Sequence, residues 1–150
     1  MNGIVDKSFP AIIDTGSSTL GVPPKTFDAL KAEWVKDLKD KKLDCKSDEN
    51  FCQVQEPCDS FQKQMKPIGF LMSGRVFEVP SNLYLFQAEG KCQFGIYKND
   101  LGGNSVDLFI IGEPLLKNLY TVYDFDQDEI KLGVNIAATS EVLIYEPGKR

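Results

Sequence analysis

One aspartate in this sequence is set up to do chemistry. Ala11-Ile12-Ile13-Asp14-Thr15-Gly16-Ser17-Ser18 runs from an apolar strand into a Gly/Ser turn and delivers a single carboxylate to the strand's end. Gly16 lets the backbone turn sharply, and Ser17 and Ser18 bring hydroxyls and amides that can hold an ionised carboxylate. Such a group suits acid–base work, but an acid–base dyad needs two. Close like charges cannot both ionise, so a carboxylate pair shares one proton and supplies acid and base together. The sequence carries one Asp-Thr-Gly. By itself the tripeptide arises by chance in roughly two per cent of chains this long, and an Asx turn closing a buried strand is the plain alternative. Its meaning therefore rests on the elements around it.

No histidine occurs in the 150 residues, which removes Ser/His and Cys/His nucleophile pairs and His-ligated metal sites. Acid–base work falls to carboxylates. With 22 acidic against 17 basic residues, the chain lacks the basic excess that a nucleic-acid binder presents. Cys45, Cys52, Cys58 and Cys92 lack the paired C-x-x-C spacing of structural zinc, so no metal site is expected and no cofactor is implied. They read as two disulfides, and their spacing leaves all three connectivities open; free buried thiols in a cytosolic protein are the alternative. Bridges would place the chain in a secretory, lysosomal or vacuolar, or extracellular compartment. Met1-Asn2-Gly3-Ile4-Val5-Asp6-Lys7 shows no signal peptide, and no stretch is long enough to span a membrane. Disulfides without a leader suggest a fragment whose targeting sequence lies upstream.

The elements that must position Asp14 follow from composition and periodicity. At 42% apolar content, 150 residues suffice for one domain with a real core and not for two. After the Asp14 turn, Pro24 suits a first helical turn, and Phe27, Leu30, Trp34 and Leu38 recur at three and four residues. That predicts an amphipathic helix from about Pro23 to Leu38, with Trp34 in the core and Lys31, Glu33, Lys36 and Asp37 on its solvated face. Lys39 to Gln64 reads as an irregular, cysteine-bearing surface excursion. Short strands follow: a hairpin of Pro67–Met72 and Arg75–Val79 across Ser73-Gly74, then Asn82–Phe86 and Cys92–Tyr97. Leu101-Gly102-Gly103-Asn104 reads as a flexible loop. Leu108–Gly112 is an apolar run ending in glycine, Pro114–Asn118 a short helix, and Tyr120–Phe125 with Glu129–Val134 a last hairpin. Phe9, Phe70, Phe77, Tyr84, Phe94 and Tyr97 are candidate pocket walls, though core packing is the commoner fate of such rings.

This order of features resembles the pepsin-like aspartic proteases, specifically their C-terminal lobe, over nearly the whole chain. The matching pieces are Ile12-Ile13-Asp14-Thr15-Gly16-Ser17-Ser18, Ile110-Ile111-Gly112, Tyr120-Thr121-Val122-Tyr123-Asp124 and Lys131-Leu132-Gly133. The resemblance implies a mainly β fold, a six-stranded-type barrel or sheet lobe with one or two short helices. Residues 1–150 would form a single lobe, the C-terminal half of the protease domain and incomplete at its N-terminus. It also implies roles. Asp14 would be the second-lobe member of the catalytic pair. Thr15 would reach toward the other lobe, Gly16 and Ser17 would line the substrate cleft and bond the carboxylate, and Ser18 would support the turn. Ile110, Ile111 and Gly112 would cross beneath it, the glycine allowing close backbone approach. The family pattern pairs Cys58 with Cys92, leaving Cys45 with Cys52.

The implied substrate is an extended polypeptide, cleaved by direct water attack between two lobes. The implied partner is the N-terminal lobe with its own Asp-Thr-Gly, which the sequence does not contain. Asp14 alone cannot run a dyad, so the chain by itself is expected to be inactive as a monomer. Its missing strands leave sheet edges open, which predicts poor stability or aggregation. Two other readings compete: a single-lobe protease that dimerises so that two copies of Asp14 meet across a two-fold axis, and a non-catalytic peptide-binding or inhibitory module that keeps the groove.

Overall fold

Phe27, Leu30, Trp34 and Leu38 all lie at 5% exposure or less, on one stripe of the helix α1 (Pro24–Leu38). Pro24 opens this helix at its first turn, and Lys39, with φ 57°, closes it. In the computed structural model, which describes residues 8–46, 50–100, 107–135 and 141–150, α1 packs its aromatic stripe against the sheets. The Trp34 and Phe94 ring centroids are 4.7 Å apart, and Phe27 meets Trp34 edge-on. Each such side chain removed from water contributes roughly 1.5–3 kcal/mol.

Around this core the chain is mainly β. In order run β1 (Ala11–Ile13), β2 (Leu20–Val22), α1, β3 (Asp44–Cys45), β4 (Cys52–Val54), two 3-10 turns (Cys58–Ser60 and Gln62–Gln64), β5 (Ile68–Met72) and β6 (Arg75–Val79). Then follow α2 (Ser81–Tyr84), β7 (Leu85–Ala88), β8 (Lys91–Phe94), β9 (Ile96–Lys98), β10 (Phe109–Ile111), α3 (Glu113–Leu116), β11 (Leu119–Asp124), β12 (Glu129–Val134) and β13 (Leu143–Tyr145). Among the described residues the strands are distributed over four sheets, ordered β1-β10-β2-β9, β3-β4-β8-β7, β13-β6-β5 and β11-β12. No helix among the described residues is long and apolar enough to cross a membrane.

Cys45 is bonded to Cys52 and Cys58 to Cys92, the pairs that the resemblance implies. The first closes the β3–β4 hairpin, where the two residues face each other in register. The second ties a 3-10 turn to β8 across a separation of 34 residues. The described residues between 39 and 64 are thus irregular but not structureless, since β3 and β4 extend the β7–β8 sheet through Gln53↔Gln93 and Val54↔Cys92.

Several expectations need correction. Asn82–Phe86 is not a strand: Pro80 sets up one turn of helix, α2, and the strand begins only at Leu85. Cys92–Tyr97 breaks at Gly95, which leaves β8 and β9 in different sheets. The reason is local, because Gly95 donates its N–H to the Tyr84 carbonyl at 2.7 Å and accepts from the Leu20 amide at 2.9 Å. Asp37, placed by periodicity on the solvated face of α1, is buried. Its Oδ2 accepts from the Lys66 amide at 3.1 Å and its Oδ1 pairs with the Lys66 ammonium at 3.0 Å. The hairpins fall where they were predicted. At the β5–β6 turn Ser73 and Gly74 both take positive φ, 48° and 75°, the primed turn that suits a two-residue connection. The segments 1–7 and 101–106, with the expected leaderless start and the Gly-rich loop, lie outside the described residues.

Candidate active site around Asp14

Asp14 stands at the end of β1, and its position follows from how β1 is paired. Ala11, Ile12 and Ile13 run parallel to Phe109, Ile110 and Ile111. The Phe109 amide donates to the Pro10 carbonyl at 2.9 Å, and the Asp14 amide donates to the Ile111 carbonyl at 3.0 Å. Hydrogen bonds thus tie the aspartate's backbone to β10 just as both strands end. The side chain is set by the turn that follows. Gly16 donates its N–H to Asp14 Oδ1 at 2.9 Å, and the Ser17 amide donates to the Asp14 carbonyl at 3.2 Å. A Cβ on residue 16 would lie 3.2 Å from that same Oδ1, so glycine leaves the carboxylate room to sit over its own turn.

Ser17 does not bond the carboxylate, contrary to the role that the resemblance implies. Its hydroxyl donates to the Thr19 carbonyl at 3.0 Å and stabilises the return of the chain into β2. Thr15, Gly16 and Ser18 are exposed, and Asp14 is half-buried. Beneath the turn, Gly112 lies tight against backbone. A Cβ there would fall 2.1 Å from the Thr19 carbonyl oxygen and 2.5 Å from that of Ser17. The Glu113 amide, one residue on, donates to the Ser17 carbonyl at 2.8 Å. Ile111 and Gly112 are buried and Ile110 is partly so, facing Gly21 of β2 in the register.

The sheet then carries a residue that the motif alone does not single out. Gly21 lies opposite Tyr97 of β9, and a Cβ on it would come within 2.8 Å of the Tyr97 ring. The bare glycine lets this ring lie across the sheet beside Asp14. The Tyr97 phenol is held above its ordinary pKa, first by burial and then by the negative charge of Asp14. It stays protonated and is a hydrogen-bond donor at the edge of the site. Of the six aromatic candidates, Phe70, Phe77, Tyr84 and Phe94 are buried in the core, and Phe9 tilts against Phe109.

Tyr97 also lines a cavity of 460 Å³ that opens beside the Asp14 turn. Ser18 and Thr19 form one wall, Phe51, Phe86 and Phe94 supply apolar surface, and Glu113 places a carboxylate at the margin. Phe86 reaches into this space over Gly95, where a Cβ would fall 2.0 Å from its ring. The sequence does not single out Glu113 or Phe86 as site residues. The only sequence signal for Glu113 is its place directly after Ile110-Ile111-Gly112, and Phe86 had none. Among the described residues no cluster of three or more His, Cys, Asp or Glu side chains could hold a metal ion.

The family model described as "Eukaryotic aspartyl protease" matches residues 2–135. A gastricsin from Macaca fuscata fuscata is 28% identical over 130 residues, covering 86% of this chain and 32% of that protein. Pepsin A from Bos taurus is 27% identical over 123 residues, 82% of this chain and 30% of its own length. Rhizopuspepsin-1 from Rhizopus niveus is 31% identical over 130 residues, 86% of this chain and 29% of its own. The chain thus spans about a third of the length of the curated relatives it matches.

Proposed function

Since the chain belongs to the eukaryotic aspartyl protease family, we propose that it supplies one half of an aspartic endopeptidase site, with Asp14 as its catalytic residue. The observation that carries this reading is the way Asp14 is fixed. Its amide is bonded to β10 and its Oδ1 to the Gly16 amide, while the turn around it stays exposed. A carboxylate oriented by backbone donors yet open to solvent can grip a water molecule. Opposite a second carboxylate, the pair would share one proton. The ionised member takes a proton from water as its oxygen attacks the peptide carbonyl, and the protonated member passes its proton on toward the departing nitrogen. No bond to the protein forms.

The substrate in this reading is an extended polypeptide. The cavity beside the turn would take one of its side chains against Phe51, Phe86, Phe94 and Tyr97, with Glu113 at the rim. The second carboxylate would come from a further lobe carrying its own Asp-Thr-Gly, and the exposed Thr15 would meet that lobe. Residues 1–150 then act as one lobe, the C-terminal half of the protease domain. The β11–β12 hairpin supports the need for a partner. Tyr120 and Val122 are exposed on one of its faces, and Tyr123, Ile130 and Val134 on the other. The two disulfides fit an oxidising compartment, so a secretory, lysosomal or vacuolar, or extracellular location goes with this reading.

The test is cleavage of a denatured protein substrate at acid pH by the purified chain over a concentration series, beside Asp14→Ala. The half-site reading expects no Asp14-dependent cleavage at any concentration. Cleavage growing with the square of concentration would instead show two copies completing a site. Peptide binding unchanged by Asp14→Ala, with no cleavage even when the missing lobe is supplied, would establish a non-catalytic module.

A further inference from the structure

Residues 141–150 lie beyond the stretch matched by the family model, which ends at residue 135, yet they are built into the fold. β13 adds antiparallel to the outer edge of β6, with Leu143 opposite Glu78, Ile144 opposite Phe77 and Tyr145 opposite Val76. Val142, just before the strand, is 2% exposed and belongs to the core cluster. Alternation along these strands puts Phe77 and Ile144 on the core side. Glu78 falls on the other side, which it shares with Leu71 and Leu143, both exposed. A carboxylate on that face would ordinarily be solvated.

Instead the Glu78 side chain is only 5% exposed, because the C-terminal segment lies over it. The Tyr145 hydroxyl donates to Glu78 Oε2 at 2.6 Å, and Arg150 Nη2 donates to Oε1 at 2.6 Å. One segment therefore occupies both oxygens of the carboxylate. Burial first, then the hydrogen bond and charge of Glu78, hold the Tyr145 phenol above its ordinary pKa and keep it a donor. The same segment is met from outside by Arg75, paired with Glu146 at 2.7 Å, and by Asn82, whose side-chain amide donates to Glu141.

We propose that residues 141–150 form a clasp on the β6 edge, and that Glu78 is the residue that recognises it. The clasp covers a row of backbone donors and acceptors that would otherwise be open to pairing with another chain. It also steadies a sheet that backs the site, since Phe70, opposite Phe77 on β5, meets Phe109 of β10 edge-on with ring centroids 6.4 Å apart.

Amide hydrogen exchange on the full chain tests it, comparing the parent with Glu78→Gln and Arg150→Gln. The peptide spanning 142–146 should be protected in the parent. Glu78→Gln removes a charge-assisted bond and should speed its exchange about tenfold. Arg150→Gln, at a more exposed position, should speed it several-fold, with β11–β12 unchanged in both. Exchange of 142–146 at the rate of an unstructured peptide in the parent, or rates unmoved by both substitutions, overturns the clasp. Should Glu78→Gln fail to fold, the Arg150→Gln comparison decides.

Discussion

β10 and β11 are separated by little more than the single turn of α3, yet they live in different surroundings. β10 lies inside a four-stranded sheet, bonded on one side to β1 and on the other to β2, and Ile111 at its end is 1% exposed. Among the described residues β11 pairs with β12 alone, and beyond Leu119 the hairpin shows apolar side chains on both faces, up to Phe125 at 87% exposure. A two-stranded ribbon is marginal in water without something to pack against. The glycines draw the same contrast. A Cβ on Gly112 would run into two carbonyl oxygens, whereas one on Gly133 of β12 would meet nothing within 4 Å. β10, to which the Asp14 backbone is bonded, is flanked on both sides by strands of this chain. The hairpin presents apolar side chains to solvent on both faces, the composition that an interface would have.

That contrast can be broken at several points. The largest effect should come from removing Cys58–Cys92, which anchors β8 beside the cavity. Closing a loop of this size is worth about 4 kcal/mol, against about 2 kcal/mol for the short Cys45–Cys52 loop. Denaturant melts of the two double Cys→Ala variants should show that order. Gly112→Ala should cost about 3 kcal/mol through overpacking against backbone, whereas Gly133→Ala should stay within about 0.5 kcal/mol. Equal costs at both positions would mean that the site region is not tightly packed. Ile130→Lys on the hairpin should also leave stability within about 0.5 kcal/mol. It should reduce self-association by light scattering and weaken assembly with a lobe carrying a second Asp-Thr-Gly, and unchanged assembly would exclude the hairpin from such an interface.

The smallest effect concerns acid. The Lys131 ammonium, bonded to Asp124 Oδ2 at 2.9 Å, together with the Gln127 amide, holds the Asp124 carboxyl below its ordinary pKa. A carboxyl depressed in the folded state stabilises above its unfolded pKa, and that contribution is lost as pH falls through the lower folded value. The hairpin turn should therefore keep its protection in mildly acidic solution and loosen only below the usual carboxylate range. Exchange at residues 124–127 measured across acid pH, with Asp124→Asn beside it, reads this out. The pair sits at a surface turn, with Lys131 exposed and Asp124 half-buried, so the global melt should barely move.

Much of the site region was legible because its signals are local. The apolar run into Asp14-Thr15-Gly16 needs only neighbours, as does the helix stripe of Phe27, Leu30, Trp34 and Leu38. Ser73-Gly74 announces its hairpin for the same reason. What stayed hidden depends on contacts distant in sequence or on very short elements. β2 spans three residues, too few for periodicity to register, and β13 is as short. Asp37 looks like a solvated helix position until Lys66 is placed beside it. The break at Gly95 is explained by bonds to Tyr84 and Leu20, which nothing in Cys92–Tyr97 foretells. Ser17 was assigned to the carboxylate because a hydroxyl next to an aspartate invites that reading, and the Thr19 carbonyl competes for it more successfully. Tyr97 stood among six aromatics, and the mark that distinguishes it, a glycine opposite on the neighbouring strand, appears only once β2 and β9 are paired.

The most direct test of the central claim is the acid endopeptidase activity of this chain assembled with a lobe that supplies the second Asp-Thr-Gly, measured with Asp14 and with Asp14→Ala. The account predicts activity with Asp14 and a loss on the order of 10³-fold or more without it, at unchanged assembly. Comparable activity from both assemblies would contradict the assignment of Asp14 to the dyad.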